Sequence, residues 1–361
     1  MVPVGTVVRS EGAGGAPFEA RFESVGAVVP EQRLSSEELM AKVKTRGRVS
    51  LEGLTGIRER RVCGEGEDSY TLAVDAAQEC LTYSSHAAGD LEMIVSTSIS
   101  KFKDGLTYVF EPALSLYVRD AIGAQSAIAF DVANACAGML TGVYIVADFI
   151  RRGVISRGMV VSGEYITSLS DNAIPKVKSV LSRQLASLTV GDCGAAVILE
   201  RADPGQGALT TSGFVTVARW SDLCIGGACK VAPGGEMVTN ARKIHDAAID
   251  ATPKVLERAL AAWGVDYNDI DFVIPHQTSG RAIVAGALLM DRKFGGRARE
   301  VVVNVGEYGN TASTSHFLAM YRLLREGRFR EGENVMLIAL ASGLVMGVVA
   351  FTMDDMVKRY G

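Results

Sequence analysis

"DVANACAGMLTGVYIVADFI", residues 131–150, decides how the rest of this chain is read. From Ala135 onward nearly every residue is apolar or small, the composition of a helix buried on all sides. A short β-like run at 127–132 leads straight into it, and Cys136 stands at the junction. Such a thiol has two readings. It is a small apolar residue of a packed core. Or it is a nucleophile exposed on a sharp strand-to-helix turn, with unpaired N–H groups and the helix dipole lowering its pKa toward the thiolate. The segment alone favours the packed thiol.

Working outward, the 361 residues suffice for two domains or one large duplicated one. Composition is that of an ordinary globular protein, 48% hydrophobic and 22% charged. A net charge of −4 gives no general case for nucleic-acid or membrane binding. Six cysteines without a secretory leader point to reduced thiols and a cytoplasmic location. Cys224 and Cys229 lie five apart in "CIGGAC", but no second Cys/His pair follows at zinc-ligand spacing. Residues 1–20 read as a flexible, peripheral leader rather than a signal peptide. The charge-free stretch "VMLIALASGLVMGVVAFTM", 335–353, has the length of a membrane span. Ser342-Gly343 interrupts it, so two buried strands joined by a tight turn fit better.

Five strand-like runs occur at 22–29, 93–97, 127–132, 159–163 and 195–199, and five more at 214–218, 272–275, 301–305, 335–341 and 344–351. Helical stretches separate many of them. The alternation predicts an α/β fold with buried sheets. In each set the third strand leads into a strongly apolar helix. This is duplication in pattern, not in letters, with "RADPGQG" at 201–207 as the linker. The expected halves are 1–204 and 205–361. "GDCGAA" and "GEYGN" match no phosphate-binding loop.

Three further positions bear on Cys136. His276 follows a buried-looking strand in "DFVIPHQTSGRAI", at the strand's C-terminal edge, where α/β sheets bind ligands. Asn310 ends the glycine-rich "VVVNVGEYGN"; alone it reads as turn or cap chemistry. Gly343 lies in a turn between buried strands, where a backbone N–H can approach a ligand and, with the N–H of Cys136, form an oxyanion hole.

Together these stretches resemble the β-ketoacyl-ACP synthase III-like family of the thiolase superfamily. The matching pieces are "TGIRERR" at 55–61, "FDVANACAGML" at 130–140, "GDCGAAVILE" at 191–200, "PHQTSGR" at 275–281, "NVGEYGNTAST" at 304–314 and "SGLVMG" at 342–347. His276 follows Cys136 by 140 residues and Asn310 follows His276 by 34, separations similar to the family's. The resemblance implies a duplicated five-layered α-β-α-β-α fold, a homodimer, and an acyltransferase. By that resemblance Cys136 takes an acyl group from acyl-CoA or the phosphopantetheine of an acyl carrier protein. His276 and Asn310 stabilise the enolate left when a malonyl-type thioester loses CO₂. Claisen condensation then gives a β-keto product of lipid or polyketide-like metabolism, with no metal or redox cofactor required. Arg281 and Ser279 fall where the family contacts the carrier or substrate.

Two departures qualify the resemblance. The Trp and Arg that clasp CoA adenine in the fatty-acid-initiating enzymes are replaced near Ser50 and at Leu54. A carrier-bound or specialised donor therefore gains weight. Second, Glu111 stands 25 residues before Cys136 in "FEPALSL". A Glu in a similar place serves as base in the head-to-head acyl-condensing thiolases of olefin biosynthesis, reaching across the dimer. Glu111 and Pro112 equally suit a helix start. The alternatives are non-decarboxylative condensation with Glu111 as base, acyl transfer to a small O or N acceptor, or a non-catalytic synthase partner. Retention of Cys136, His276 and Asn310 favours the condensing enzyme.

Overall fold

A computed structural model describes residues 18–45, 49–203 and 206–361. Most of the expected leader, and part of the 201–207 linker, lie outside the described residues. The N-terminal sheet is built from Glu19–Val28, Met93–Ser96, Ile128–Asp131, Arg157–Glu164 and Cys193–Ala202. The C-terminal sheet is built from Thr210–Thr216, Phe272–Pro275, Glu300–Val301, Asn334–Ala341 and Val345–Thr352. In space each sheet reads first, fifth, fourth, second, third. Strand directions repeat too. In both, the second strand is parallel to the third and fourth, and the fifth is antiparallel to the first and fourth. One supersecondary plan is thus used twice.

Side-chain alternation along the strands sorts the core into layers. Met93, Val95, Val160, Val197 and Leu199 face inward with Ile274, Leu337, Ala339 and Val349, packed on Val143 and Val146 of the Gly138–Arg151 helix and on Phe317 and Met320 of the Ser315–Arg325 helix. Their neighbours Ile94, Met159, Val161 and Ile198 face outward, against Ala73, Leu114 and Val118. Val273, Met336, Val348 and Ala350 do the same against Val255, Leu256 and Met290. The order is helices, sheet, helices, sheet, helices. The five-layered fold is as expected, and the two middle helices are apolar all round because a sheet covers each side.

The 335–353 stretch forms two antiparallel strands, charge-free because both faces are covered. Among the described residues no helix is long and apolar enough to cross a membrane. Two elements differ from expectation. The run at 301–305 ends as a strand at Val301, because the Gln277 side-chain oxygen accepts from Asn304 N (3.0 Å) and Val305 N (3.2 Å), and Val305–Tyr308 turns into a short helix. The "CIGGAC" segment forms a strand, Cys224–Ala228, paired with Gly235–Thr239.

Candidate active site

Cys136 occupies a single 3₁₀ turn, Ala135–Ala137, between the strand Ile128–Asp131 and the helix Gly138–Arg151. Glycines let this helix sit hard against the sheet. A Cβ at Gly138 would lie 2.9 Å from the Thr97 carbonyl oxygen, and one at Gly142 2.5 Å from Val160 Cγ1. The Cys136 turn packs on the 334–352 hairpin and on a second 3₁₀ turn, Ala312–Thr314, its counterpart in the other half. Four non-glycine residues among those described have positive φ, and three flank the candidate positions: Ala135 (45°), Ala312 (54°) and Leu344 (24°). Residues held in such sparsely populated backbone regions cluster at functional sites. Gly343 itself has φ 87°, with nothing among the described residues within 4 Å of where a Cβ would stand.

His276 is 3% exposed at the end of the strand Phe272–Pro275. Its backbone N–H donates to the Ile338 carbonyl (2.9 Å), and its Nδ1 lies 2.8 Å from the Ser315 hydroxyl. Burial, and then the neighbouring His316, push its pKa down to about 3, so the ring is neutral at physiological pH. Asn310 is fixed by its backbone: its N–H donates to Thr189 O (2.8 Å) and its carbonyl accepts from Gly191 N (3.0 Å). Its side-chain Oδ1 accepts from Ala312 N at 3.0 Å, which leaves the NH₂ end of the amide for another acceptor. Cys136, His276 and Asn310 thus meet at one segment, 310–315: Asn310 begins it, His276 bonds Ser315, and the Cys136 turn packs on 312–314.

Of the two readings of Cys136, the nucleophile reading expected a helix N-terminus to lower its pKa; the structure gives the opposite direction. Burial pushes the thiol up to about 12, and the nearby Cys224 and Glu164 add to the rise. Only its own backbone N–H opposes them. Burial is the dominant influence, and the resting group is a thiol.

The remaining predicted residues stand apart from this cluster. Ser279 caps the helix Gly280–Phe294, accepting from Ala282 N, and its hydroxyl donates to Thr55 O at 3.0 Å. Arg281, two residues on, is exposed. Ser50 is also a cap, accepting from Gly53 N, and Leu54 is exposed. Glu111 is exposed and precedes Pro112 through a cis peptide bond. The helix-start reading of Glu111 fails. That helix begins at Leu114, and Asp131 supplies the carboxylate at its N-terminus, accepting from Leu114 N (3.1 Å) and Ser115 N (3.0 Å).

Sequence reasoning missed the supports. Glu164 is fully buried and accepts from Ile99 N, Ser100 N, and the hydroxyls of Ser100, Ser162 and Ser313, at 2.7–3.2 Å. It ties one sheet to the 312–314 turn. Arg60, also fully buried, donates to Leu188 O (3.0 Å) and Ser36 Oγ (2.7 Å). It backs the loop that holds Asn310: a Cβ at Gly191 or Gly309 would come within 3.1 or 3.2 Å of its own Cβ. A carboxylate closing the apolar run 157–164 was the one available signal.

The sequence matches the family described as 3-oxoacyl-[acyl-carrier-protein (ACP)] synthase III over residues 130–215, and the C-terminal part of that family over 260–353. The beta-ketoacyl-[acyl-carrier-protein] synthase III of Rhizorhabdus wittichii is 28% identical over 327 residues, covering 90% of this chain and 96% of its own. That of Rhizobium rhizogenes is 29% identical over 334 residues, with the same coverage. Among solved structures, OleA of Xanthomonas campestris with bound lauric acid and lauroyl-CoA superposes with a TM-score of 0.82 at 22% identity, covering 93% of this chain and 99% of that one. The 3-oxoacyl-(acyl carrier protein) synthase III of Xanthomonas oryzae gives 0.81 at 24%, with the same coverage. The chain belongs to the β-ketoacyl-ACP synthase III-like family, acyl-condensing transferases of the thiolase fold.

Proposed function

We propose that this enzyme loads an acyl group onto Cys136 and extends it by decarboxylative Claisen condensation. The observation that carries the reading is the anchoring of two neutral donors. His276 is tied through Nδ1 to Ser315, and Asn310 through Oδ1 to Ala312. With the Ser315 hydroxyl donating, the imidazole proton sits on Nε2. Each side chain then has an N–H left to give to one thioester oxygen. Plain acyl transfer to an alcohol or amine makes no enolate and needs no such pair.

In the first half-reaction the Cys136 sulfur attacks the donor thioester carbonyl. Its proton leaves with the departing CoA or carrier thiol, because the resting group is a thiol. The N–H groups of Cys136 and Gly343 receive the oxyanion. A malonyl-type thioester enters next. Its bond to the carboxylate breaks, CO₂ departs, and the electron pair passes into an enolate held by His276 and Asn310. The enolate carbon attacks the acyl carbonyl, the C–S bond to Cys136 breaks, and one proton from solvent restores the thiol. The substrates are acyl-CoA or acyl-carrier thioesters, and Arg281 and Ser279 are assigned to the side that receives the pantetheine arm. The two halves, 1–204 and 205–361, each contribute: the first brings the nucleophile, the second the two donors.

A homodimer fits the edge strand Ile128–Asp131, whose outer side no strand pairs among the described residues and whose Ile128 is 58% exposed. One observation favours a second reading of the carbon nucleophile. Glu111 stands exposed beside Phe110, itself 80% exposed, on a segment that Asp131 ties to that edge. A second copy docked there would receive Glu111 as a base for condensing two acyl thioesters.

The test is release of labelled CO₂ from a malonyl thioester by acylated enzyme, which should stop in His276→Ala and Asn310→Ala while acyl loading persists. Product formed from two acyl thioesters, with Glu111→Ala inactive and no CO₂ released, selects the second reading.

A further inference from the structure

Behind His276 stands another fully buried imidazole, His316, on the helix Ser315–Arg325. The two rings are stacked, with centroids 5.8 Å apart and planes at 27°. His316 Nε2 lies 2.9 Å from the Ile338 carbonyl oxygen. A carbonyl only accepts, so Nε2 carries a proton; in the neutral ring Nδ1 is then bare, and it has no hydrogen-bond partner among the described residues. Burial lowers the His316 pKa to about 4, in keeping with that state. The Ile338 carbonyl is the same oxygen that receives the backbone N–H of His276, also at 2.9 Å. One acceptor therefore joins the two histidines.

We infer that His316 is a positioning residue for the enolate-forming half-reaction, holding the His276 ring in register from behind while Ser315 fixes its Nδ1. The two contacts come from successive residues of one helix and act on different parts of His276. Ser315 sets the direction of the ring's N–H. His316 sets where the ring lies, by filling the space behind it and by pinning the strand carbonyl that anchors the His276 backbone. A purely apolar residue at 316 would pack but would leave Ile338 with one donor fewer. A buried imidazole with a bare nitrogen costs free energy that packing alone does not demand. That cost is accounted for if ring position at His276 sets the rate. A misplacement of about 1 Å from a distant change lowers rates about 10²-fold.

The inference rests on the proposed decarboxylative reading, and the test separates the two. Acyl loading of Cys136 and CO₂ release from a malonyl thioester are measured separately in the wild type, His316→Leu, His316→Phe and His316→Gln. Gln places an amide N–H near the position of Nε2, and Phe keeps the ring without the donor. Expected are loading rates within about twofold of wild type throughout, CO₂ release slowed about tenfold or more in Leu and Phe, and recovery to within about threefold in Gln. Should His316→Leu not fold, Phe against Gln decides. Wild-type CO₂ release in the Leu or Phe variant overturns the inference. So does equal loss of both half-reactions in folded protein, or failure of Gln to recover. A wild type that loads but releases no CO₂ overturns the functional reading instead.

Discussion

The Ser315 hydroxyl lies 2.8 Å from Nδ1 of His276, and both groups are buried. With the hydroxyl donating, this contact holds the tautomer whose Nε2 carries the proton. Ser315→Ala removes it and leaves Nδ1 without a partner. CO₂ release from a malonyl thioester should fall about tenfold, the equivalent of about 1.4 kcal/mol, while acyl loading of Cys136 stays unchanged. Rapid-quench measurement of each half-reaction checks this.

Asn310 offers a sharper contrast. Its Oδ1 is already committed to Ala312 N, so the amide NH₂ is the useful end. Asn310→Asp replaces that donor with an acceptor that repels an enolate. Decarboxylation should drop by about 10²–10³-fold, the range seen when one oxyanion donor is removed. Intact-protein mass spectra should still record loading.

The thiol of Cys136, held at about 12, predicts a particular pH profile. Below its pKa the thiolate fraction rises about tenfold per pH unit, so alkylation by iodoacetamide should climb at about that slope across pH 6–9 without a plateau. A plateau near pH 7 would mean a stabilised thiolate at rest.

Acid stability follows from the two buried imidazoles. His276 and His316 are depressed to about 3 and about 4 in the fold from an ordinary 6.5. Between those values the unfolded chain binds the extra protons, so stability contributed by both rings is present above pH 6.5 and lost as pH falls toward 4. Asp192 works the other way. Burial raises its carboxyl to about 6, so acidification through that pH relieves it and partly offsets the loss. Melting temperature should decline from pH 7 to 4, and less steeply in His316→Gln. Equal slopes in the two proteins would contradict it.

Gly142 tests the seating of the nucleophile's helix. A methyl group there meets Val160 Cγ1 at 2.5 Å, so Gly142→Ala should destabilise by about 1–3 kcal/mol through overpacking. Chemical denaturation measures it.

Much of the fold was legible because it rests on buried-strand patterning. Nine of the ten main strands overlap the apolar runs well, the tenth sharing only Val301 with its run, and the 335–353 segment resolves into a hairpin around Ser342–Leu344. The strand Cys224–Ala228 was not legible, since "CIGGA" carries two glycines and little β-branching. The end of the 301–305 run was not either, because a side chain distant in sequence, Gln277, takes its backbone N–H groups. At the site, the motifs marked Cys136, His276 and Asn310, whereas their supports are tertiary. Nothing in the letters signals that Ala135 and Ala312 have positive φ, or that Ser315 and His316 turn from a helix toward His276. The direction of the Cys136 pKa also depends on burial, which spacing does not reveal.

The most direct measurement is mass spectrometry of the intact enzyme and its peptides after incubation with acyl-CoAs and acyl-carrier thioesters. One acyl group should appear on the peptide containing Cys136, vanish in Cys136→Ala, and be discharged when a malonyl thioester is added. Acyl label confined to Cys63, Cys224 or Cys229, or persisting in Cys136→Ala, would contradict the assignment of Cys136 as nucleophile.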